Sequence, residues 1–179
     1  RCSDICRDCG FSVTLENWAT IPEQIVFGQS RPVFVNGEWT MVRDYRKVLS
    51  QGTSSHIYLN NPATAVPWLR GVAICEGHVN AGVPVLQAWS KALLEGVPYS
   101  RKVNMSPHLH YAQQGINPLS LGRVTQSTVS DETRASFERA FGLTPDEQRR
   151  LEDSFQYDIN ATVHQRAWDS LEAQDCWFN

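Results

Sequence analysis

The sequence lacks a long apolar run, a terminal targeting pattern and an excess of basic charge. No stretch approaches the roughly eighteen consecutive apolar residues of a membrane-spanning helix, so we expect no contact with a membrane. The first residues lack the basic, apolar and small-residue order of a secretory signal, so a secreted form would have lost its signal before Arg1. The formal net charge of −3 argues against a surface coated with basic patches and leaves room for a local basic cleft.

Repeats, low-complexity tracts and linkers are also missing, which argues against several independent units. The chain has 179 residues, of which 41% are apolar and 20% are charged, and this composition can bury a sizeable core without a metal or a partner. We therefore predict a single domain over residues 1–179, in which residues 108–158 form a helical insertion.

Cysteine is scarce and concentrated near the two ends of the chain. The five cysteines stand at positions 2, 6, 9, 75 and 176. Metal binding by the first three would need a fourth ligand in matching CxxC spacing, which is missing, so disulfides are favoured. This pattern predicts a disulfide-stabilised protein from a secreted, extracellular or other oxidising compartment. The odd count leaves one thiol free or paired with an additional chain or segment.

Short apolar runs separated by turn signals predict a sheet in the first half of the chain. Residues 32–42 contain two such runs on either side of Asn36-Gly37, a pair typical of a hairpin with a type I′ turn. Two more strands are predicted, one over residues 56–59 and one over residues 68–75.

From residue 130 onward the apolar spacing becomes helical. Ser130 is the predicted cap of one helix and Gly142 its stop. Thr144-Pro145 begins a second helix with a capping box, and a final helix is predicted from Asn160 onward. The fold class predicted for the whole chain is α+β, with a central, mainly antiparallel sheet and helices.

Three short segments are the candidates for chemistry. They are residues 76–81 (Glu-Gly-His-Val-Asn-Ala), 103–108 (Val-Asn-Met-Ser-Pro-His) and 164–172 (His-Gln-Arg-Ala-Trp-Asp-Ser-Leu-Glu). Together they resemble the DNA/RNA non-specific endonucleases, the ββα-metal nucleases, whose signature is Asp-Arg-Gly-His, then Ser-Asn-x-x-Pro-Gln, then Asn-x-x-x-Trp-x-x-Leu-Glu. The resemblance runs from about residue 70 to residue 175, and it implies a core like a ββα-metal finger.

The resemblance implies a role for each matching residue. His78 falls on the general base, and Asn104 falls on the asparagine of the second motif. His164 stands at the position of the metal-binding asparagine, and Glu172 falls on the glutamate that supports the metal's water shell. The family uses one divalent cation, Mg²⁺, whereas a histidine ligand favours Mn²⁺ or Zn²⁺.

These groups suit phosphodiester hydrolysis, because a base with a near-neutral pKa activates water and a divalent ion offsets the charge of the phosphate. His164 and Glu172 are eight residues apart, which is about 80° around a helix, so both can face one cleft. We therefore predict a secreted, metal-dependent endonuclease that hydrolyses DNA or RNA, with His78 arriving from the sheet. Four basic side chains are candidates for binding the substrate phosphates: Arg70, Arg101, Lys102 and Arg166.

Alternative functions stay open. Glu76 stands where the endonucleases have arginine, and its carboxylate would repel the substrate, so the chain could be a non-catalytic secreted binding or effector protein on a nuclease-like scaffold. Cys75 could instead be the nucleophile of a cysteine hydrolase, with His108 or His110 as its base. A disulfide between Cys75 and Cys176 would exclude that hydrolase.

Two alternative metal sites stay open as well. His108 and His110 alternate and could bind a metal from one face of an extended segment. Asn117 could replace His164 as the metal ligand, because it follows the second motif more closely. Single tryptophans such as Trp39 carry no motif and are expected in the core or at a domain end.

Overall fold

The computed structural model of the chain describes residues 2–14, 18–55, 57–100, 103 and 124–161. Among these residues the helices are α1 (Cys2–Asp8), α2 (Tyr45–Gln51), α3 (Pro62–Val79), α4 (Leu86–Gly96), α5 (Asp131–Phe141) and α6 (Pro145–Asp153), with a short 3-10 helix at Pro22–Gln24. The strands are β1 (Ser30–Val35) and β2 (Glu38–Arg43). The predicted α+β class is confirmed.

The two strands form an antiparallel hairpin whose turn the sequence predicted. Val35 pairs with Glu38 directly beside the turn. Asn36 and Gly37 have φ angles of 50° and 94°, and a positive φ at both central positions is what a type I′ turn requires. The predicted hairpin is therefore confirmed.

The other two predicted strands are wrong. Residues 57–60 form a turn, and residues 68–75 lie inside α3. The side chain of Asn61 caps α3 by accepting a hydrogen bond from the N–H of Ala63, and Pro62 occupies the first helical position. Buried residues lie on all sides of the second half of α3, so its sequence does not show the apolar residues every three or four positions that indicate a helix with one buried face. The sheet within the described residues is thus a two-stranded hairpin and not a central sheet.

The helices predicted after residue 130 are confirmed as far as the described residues reach. Ser130 accepts a hydrogen bond from the first turn of α5, and Gly142 ends that helix with a φ of 74°. Thr144 and Glu147 form the predicted capping box of α6. The final helix predicted from Asn160 runs mostly outside the described residues.

The core lies between α3, α4, α5 and the inner face of the hairpin. α3 packs along α4, while α5 packs against β1. The large side chains that are fully buried include Val33, Val42, Leu69, Leu86, Leu93 and Phe137. The hairpin is thereby held against α5 through its inner face, which leaves its other face toward solvent.

Three of the five cysteines form no disulfide. Cys6, Cys9 and Cys75 are all free, so the expectation of a disulfide-stabilised protein is wrong for them. Cys176 lies outside the described residues, and the compartment stays a prediction. Within the described ranges, no helix combines the length and apolar character needed to cross a membrane.

Candidate functional site

The residues predicted to carry nuclease chemistry fall mostly outside the described part of the chain. Of that set, the structure describes His78 and Arg70, both in α3. The others lie outside the described residues, as do the alternative ligands and bases: Asn104, Glu172, His164, Arg101, Lys102, Arg166, His108, His110 and Asn117. Their roles stay predictions.

His78 stands in the last turn of α3, so the expectation that it arrives from a sheet is wrong. Its Nε2 atom is buried and has no hydrogen-bond partner among the described residues. Glu76, two residues earlier in the same helix, is only 4% exposed, and its Oε2 accepts a 2.7 Å hydrogen bond from Nδ2 of Asn80. Glu76 is therefore used within the fold at the end of α3, and the part of the chain that the structure describes forms no ββα-metal finger around His78.

Arg70 is bound to the end of a neighbouring helix. Its Nη1 donates to the carbonyl oxygens of Val97 at 3.2 Å and of Pro98 at 3.4 Å, directly after α4. The guanidinium carbon also lies 5.2 Å from the ring centroid of Tyr99. These contacts give Arg70 a structural role, because a cation there suits the negative end of the α4 dipole.

Cys75 is fully buried in α3. Burial, together with the nearby carboxylate of Glu76, raises the pKa of the Cys75 thiol to about 12. The reactive thiolate is therefore scarce at neutral pH, which argues against a cysteine nucleophile at this position.

The described residues do not fit a divalent cation. Among them there is no group of three or more histidine, cysteine, aspartate or glutamate side chains close enough to hold a metal ion. Mg²⁺ and Mn²⁺ prefer clusters of carboxylate oxygens, and Zn²⁺ prefers imidazole and thiolate groups. The predicted ligand His164 lies outside the described residues.

The hairpin carries an exposed apolar face on the side away from the core. Because side chains alternate along a strand, Trp39, Met41 and Arg43 share one face of β2, and Phe34 of β1 lies opposite Trp39. The rings of Phe34 and Trp39 meet edge to face with their centroids 5.3 Å apart. Trp39 is 52% exposed and Met41 is 47% exposed, so of the two places expected for Trp39, the core or a domain end, the core is excluded. These four residues are called the hairpin face below.

A buried carboxylate joins the hairpin to α5. Glu23 is 2% exposed, and its Oε1 accepts a 2.9 Å hydrogen bond from the hydroxyl of Ser136. Nε and Nη2 of Arg139 donate to the same oxygen at 2.9 and 2.7 Å. The Ser136 oxygen in turn accepts a 2.9 Å hydrogen bond from the backbone N–H of Phe34 in β1. Glu23, Ser136 and Arg139 are called the Glu23 cluster below.

The tip of the hairpin rests on the loop between α3 and α4. Gly82 has a φ of 79°, and a Cβ atom at this position would lie 2.6 Å from Nδ2 of Asn36. The Oε1 atom of Gln87 accepts hydrogen bonds from the N–H groups of Gly82 and Ser127 at 2.7 and 2.9 Å. The turn thus has a fixed contact with the helical part of the molecule.

Glu23 also makes stability depend on pH in a definite direction. Burial alone would raise the pKa of Glu23, but hydrogen bonds from its own backbone, Arg139 and Ser136 outweigh burial and lower the pKa below its ordinary value of 4.5. A lowered folded-state pKa means that the ionised form stabilises the fold above pH 4.5 and that this contribution is lost as the pH falls through the folded-state pKa.

We therefore expect Glu23→Gln to flatten the acid limb of the stability profile. The measurement is urea unfolding between pH 7 and about pH 3, with tryptophan fluorescence as the signal. Wild type should lose more stability across this range than Glu23→Gln. An equal loss in both proteins would contradict the expectation.

The sequence interpretation missed both the hairpin face and the Glu23 cluster. The signal for the hairpin face was present, because apolar residues at 39 and 41 alternate with Thr40 and Val42, which leaves apolar side chains on both faces of β2. The Glu23 cluster left no local signal, because Glu23 and Ser136 are 113 positions apart.

Comparison with known proteins gives a different family from the one that the motifs suggested. The family described as viral RNA dependent RNA polymerase matches residues 2–161. The RNA-directed RNA polymerase of Maize chlorotic mottle virus is 36% identical over 146 residues, which are 82% of this chain and 15% of that protein. That of Tobacco necrosis virus is 34% identical over 148 residues, 82% of this chain and 20% of that protein. That of Carnation mottle virus is 31% identical over 166 residues, 93% of this chain and 21% of that protein.

The chain spans only about a fifth or less of the length of these relatives. No solved structure matches it.

These matches overturn the endonuclease resemblance, and with it the prediction of a secreted, metal-dependent hydrolase of DNA or RNA. Neither alternative, the non-catalytic scaffold or the cysteine hydrolase, receives support. The three motifs consist of a few common residues each, and Gly77-His78 proved to be part of a helix. Short patterns of this kind arise by chance in a chain of this length.

Proposed function

The chain belongs to the viral RNA-dependent RNA polymerase family, and we propose that it is a segment of an RNA-directed RNA polymerase. The observation that carries this proposal is the family match over residues 2–161. RNA synthesis is proposed for the whole polymerase, because the chain corresponds to 15–21% of the relatives named above.

Within that polymerase we assign the divalent cations to residues outside the described part of this chain. Polymerases use a pair of metal ions to stabilise the attacking and leaving oxygens of phosphoryl transfer. The described residues include no group of three or more potential ligands, so no step of the reaction is assigned to them. For the described residues we propose a role in supporting and contacting the RNA.

The hairpin face is the surface that best suits RNA. Proteins that bind single-stranded RNA stack bases on exposed aromatic rings and place cations near the phosphates. Trp39 and Phe34 offer the rings, and Arg43, on the same face of β2, offers an exposed cation. We propose that an RNA strand crosses this face, with a base stacked on Trp39.

Rigid support makes this surface suitable for holding a strand. The inner face of the hairpin is packed into the core through Val33 and Val42, and its tip contacts Gly82. Aromatic rings on such a support do not have to be ordered when RNA binds, which reduces the entropy cost of binding.

The test of the polymerase assignment is a chimera. This chain replaces the matching segment of the Maize chlorotic mottle virus polymerase, and incorporation of labelled nucleotide on an RNA template is measured. We expect incorporation that depends on template and on Mg²⁺ or Mn²⁺. The control is a matched chimera that carries the corresponding segment of the Tobacco necrosis virus polymerase, which is 34% identical to this chain. Its activity shows whether the Maize chlorotic mottle virus polymerase tolerates a foreign segment at this place. An active control chimera beside a soluble but inactive test chimera would contradict the assignment.

A further inference from the structure

We infer that Ser136 is a positioning residue for RNA, because its hydroxyl, oriented by the Glu23 cluster, holds β1, the strand that contributes Phe34 to the hairpin face and pairs with β2, which carries the rest of it. This inference rests on the proposed function. It concerns the backbone of β1, whereas the proposed contact with RNA concerns the side chains on the hairpin face.

The geometry of the hairpin explains why Ser136 reaches Phe34. Val35 and Glu38 flank the two-residue turn and form a hydrogen-bonded pair, so the next pair, Phe34 and Trp39, is not hydrogen-bonded. The N–H of Phe34 therefore points away from β2, toward α5, where the oxygen of Ser136 accepts it at 2.9 Å. Ser136 thus binds the backbone of the residue whose ring contacts Trp39.

The Glu23 carboxylate sets the direction of the Ser136 hydroxyl. A serine hydroxyl has one proton to donate and two lone pairs to accept with. The Ser136 hydroxyl donates its proton to Oε1 of Glu23 at 2.9 Å, and this fixes the orientation of the hydroxyl. A lone pair of its oxygen then faces the N–H of Phe34 and accepts a hydrogen bond from it. Arg139, whose side chain is 48% exposed, donates two hydrogen bonds to the same oxygen of Glu23 and so holds that carboxylate in place. Removal of Ser136 would take away the hydrogen bond to the outer edge of β1, and removal of Glu23 would leave the Ser136 hydroxyl free to rotate away from Phe34.

The same helix provides a matched control. On another side of α5, Arg134 makes two hydrogen bonds to Glu152 of α6, at 3.0 and 2.9 Å. Oε1 of Glu152 also accepts from the N–H of Val85 at 2.8 Å. This second network is largely buried, like the first, but it joins α5 to α6 and to the start of α4 rather than to the hairpin. Its loss should weaken the fold and leave β1 in place.

The experiment compares variants of the complete polymerase that contains this chain. Ser136→Ala, Glu23→Ala, Glu23→Gln and the control Glu152→Gln are measured for kcat and for KM toward an RNA template, with urea unfolding of the 179-residue chain as the stability readout. Ser136→Ala and Glu23→Ala should raise the KM for RNA about threefold to tenfold, as expected for the loss of one or two hydrogen bonds, with a smaller change in kcat. Glu23→Gln keeps an acceptor oxygen for Ser136 and should stay within about twofold of wild type.

Glu152→Gln should lower the urea midpoint without moving the KM for RNA. An unchanged KM in Ser136→Ala, or an equal rise in Glu152→Gln, would overturn the inference. If Ser136→Ala fails to fold, the KM values for RNA of Glu23→Ala and Glu23→Gln are compared instead. A raised KM in Glu23→Ala alone supports the inference, and equal KM values contradict it. Loss of RNA affinity in Trp39→Ala without any effect of the cluster variants would refute the positioning role alone, whereas no effect of Trp39→Ala would refute the proposed RNA contact itself.

Discussion

Phe137→Ala is expected to lower the free energy of unfolding by about 3–5 kcal/mol, the range for a buried phenylalanine that leaves a cavity. Phe137 is fully buried, and its ring lies 5.8 Å from that of Tyr45 and 4.8 Å from that of Phe141. It therefore sits where α5 meets α2. Because domains of this size are stable by only about 5–15 kcal/mol, the variant would lose a large share of its stability. Urea unfolding followed by tryptophan fluorescence measures the loss.

The control for this prediction is a phenylalanine outside the core. Phe27 is 77% exposed, and Phe27→Ala should change stability by less than about 0.5 kcal/mol. A loss below about 1 kcal/mol in Phe137→Ala, or equal losses in the two variants, would mean that α5 does not pack in the core as described.

Trp39→Ala is expected to weaken binding of single-stranded RNA by the complete polymerase roughly fivefold to 150-fold, which corresponds to the loss of one stacked base. Trp39 is 52% exposed, so the substitution removes contact surface without opening the core. The measurement is a fluorescence-anisotropy titration of a labelled oligonucleotide at a fixed salt concentration, because the affinity of proteins for RNA depends on salt.

Two variants serve as controls for Trp39→Ala. Trp39→Phe keeps an aromatic ring and should retain most of the affinity, whereas Trp18→Ala removes a tryptophan that is 86% exposed and lies outside the hairpin. RNA affinity that falls equally in Trp18→Ala and Trp39→Ala would argue against a specific site. Unchanged RNA affinity together with poor assembly of the polymerase would indicate that the hairpin face packs on another part of the protein.

The family could not be inferred from the three motifs, because each of them rests on residue types that are common in any chain. His78 illustrates the difficulty: it was predicted as a general base that arrives from the sheet, but it belongs to the end of a helix whose buried surface runs all around it. Histidine in a helix and histidine in an active-site loop look alike when no tertiary contact is known. The family emerged from similarity spread over residues 2–161 and not from any single site.

The elements predicted correctly are those that depend on neighbours within about four residues. Asn36-Gly37 determines its turn because these residues tolerate positive φ. Ser130 and the Thr144-Glu147 pair determine helix starts because their side chains bind N–H groups of the first turn. The same logic applied to Asn61-Pro62 would have revealed the start of α3, where a strand was predicted shortly afterwards.

Local chemistry in the sequence therefore determined where the turn and the helix ends lie. Only the tertiary structure decided which face of the hairpin is exposed, since β2 carries apolar side chains on both of its faces and packing on α5 selects one. Only the tertiary structure brought Ser136 to Phe34 across 102 positions and to Glu23 across 113. The physical reason is that capping and turn energies act within one segment, whereas burial and the pairing of buried polar groups depend on segments that meet only when the chain has folded.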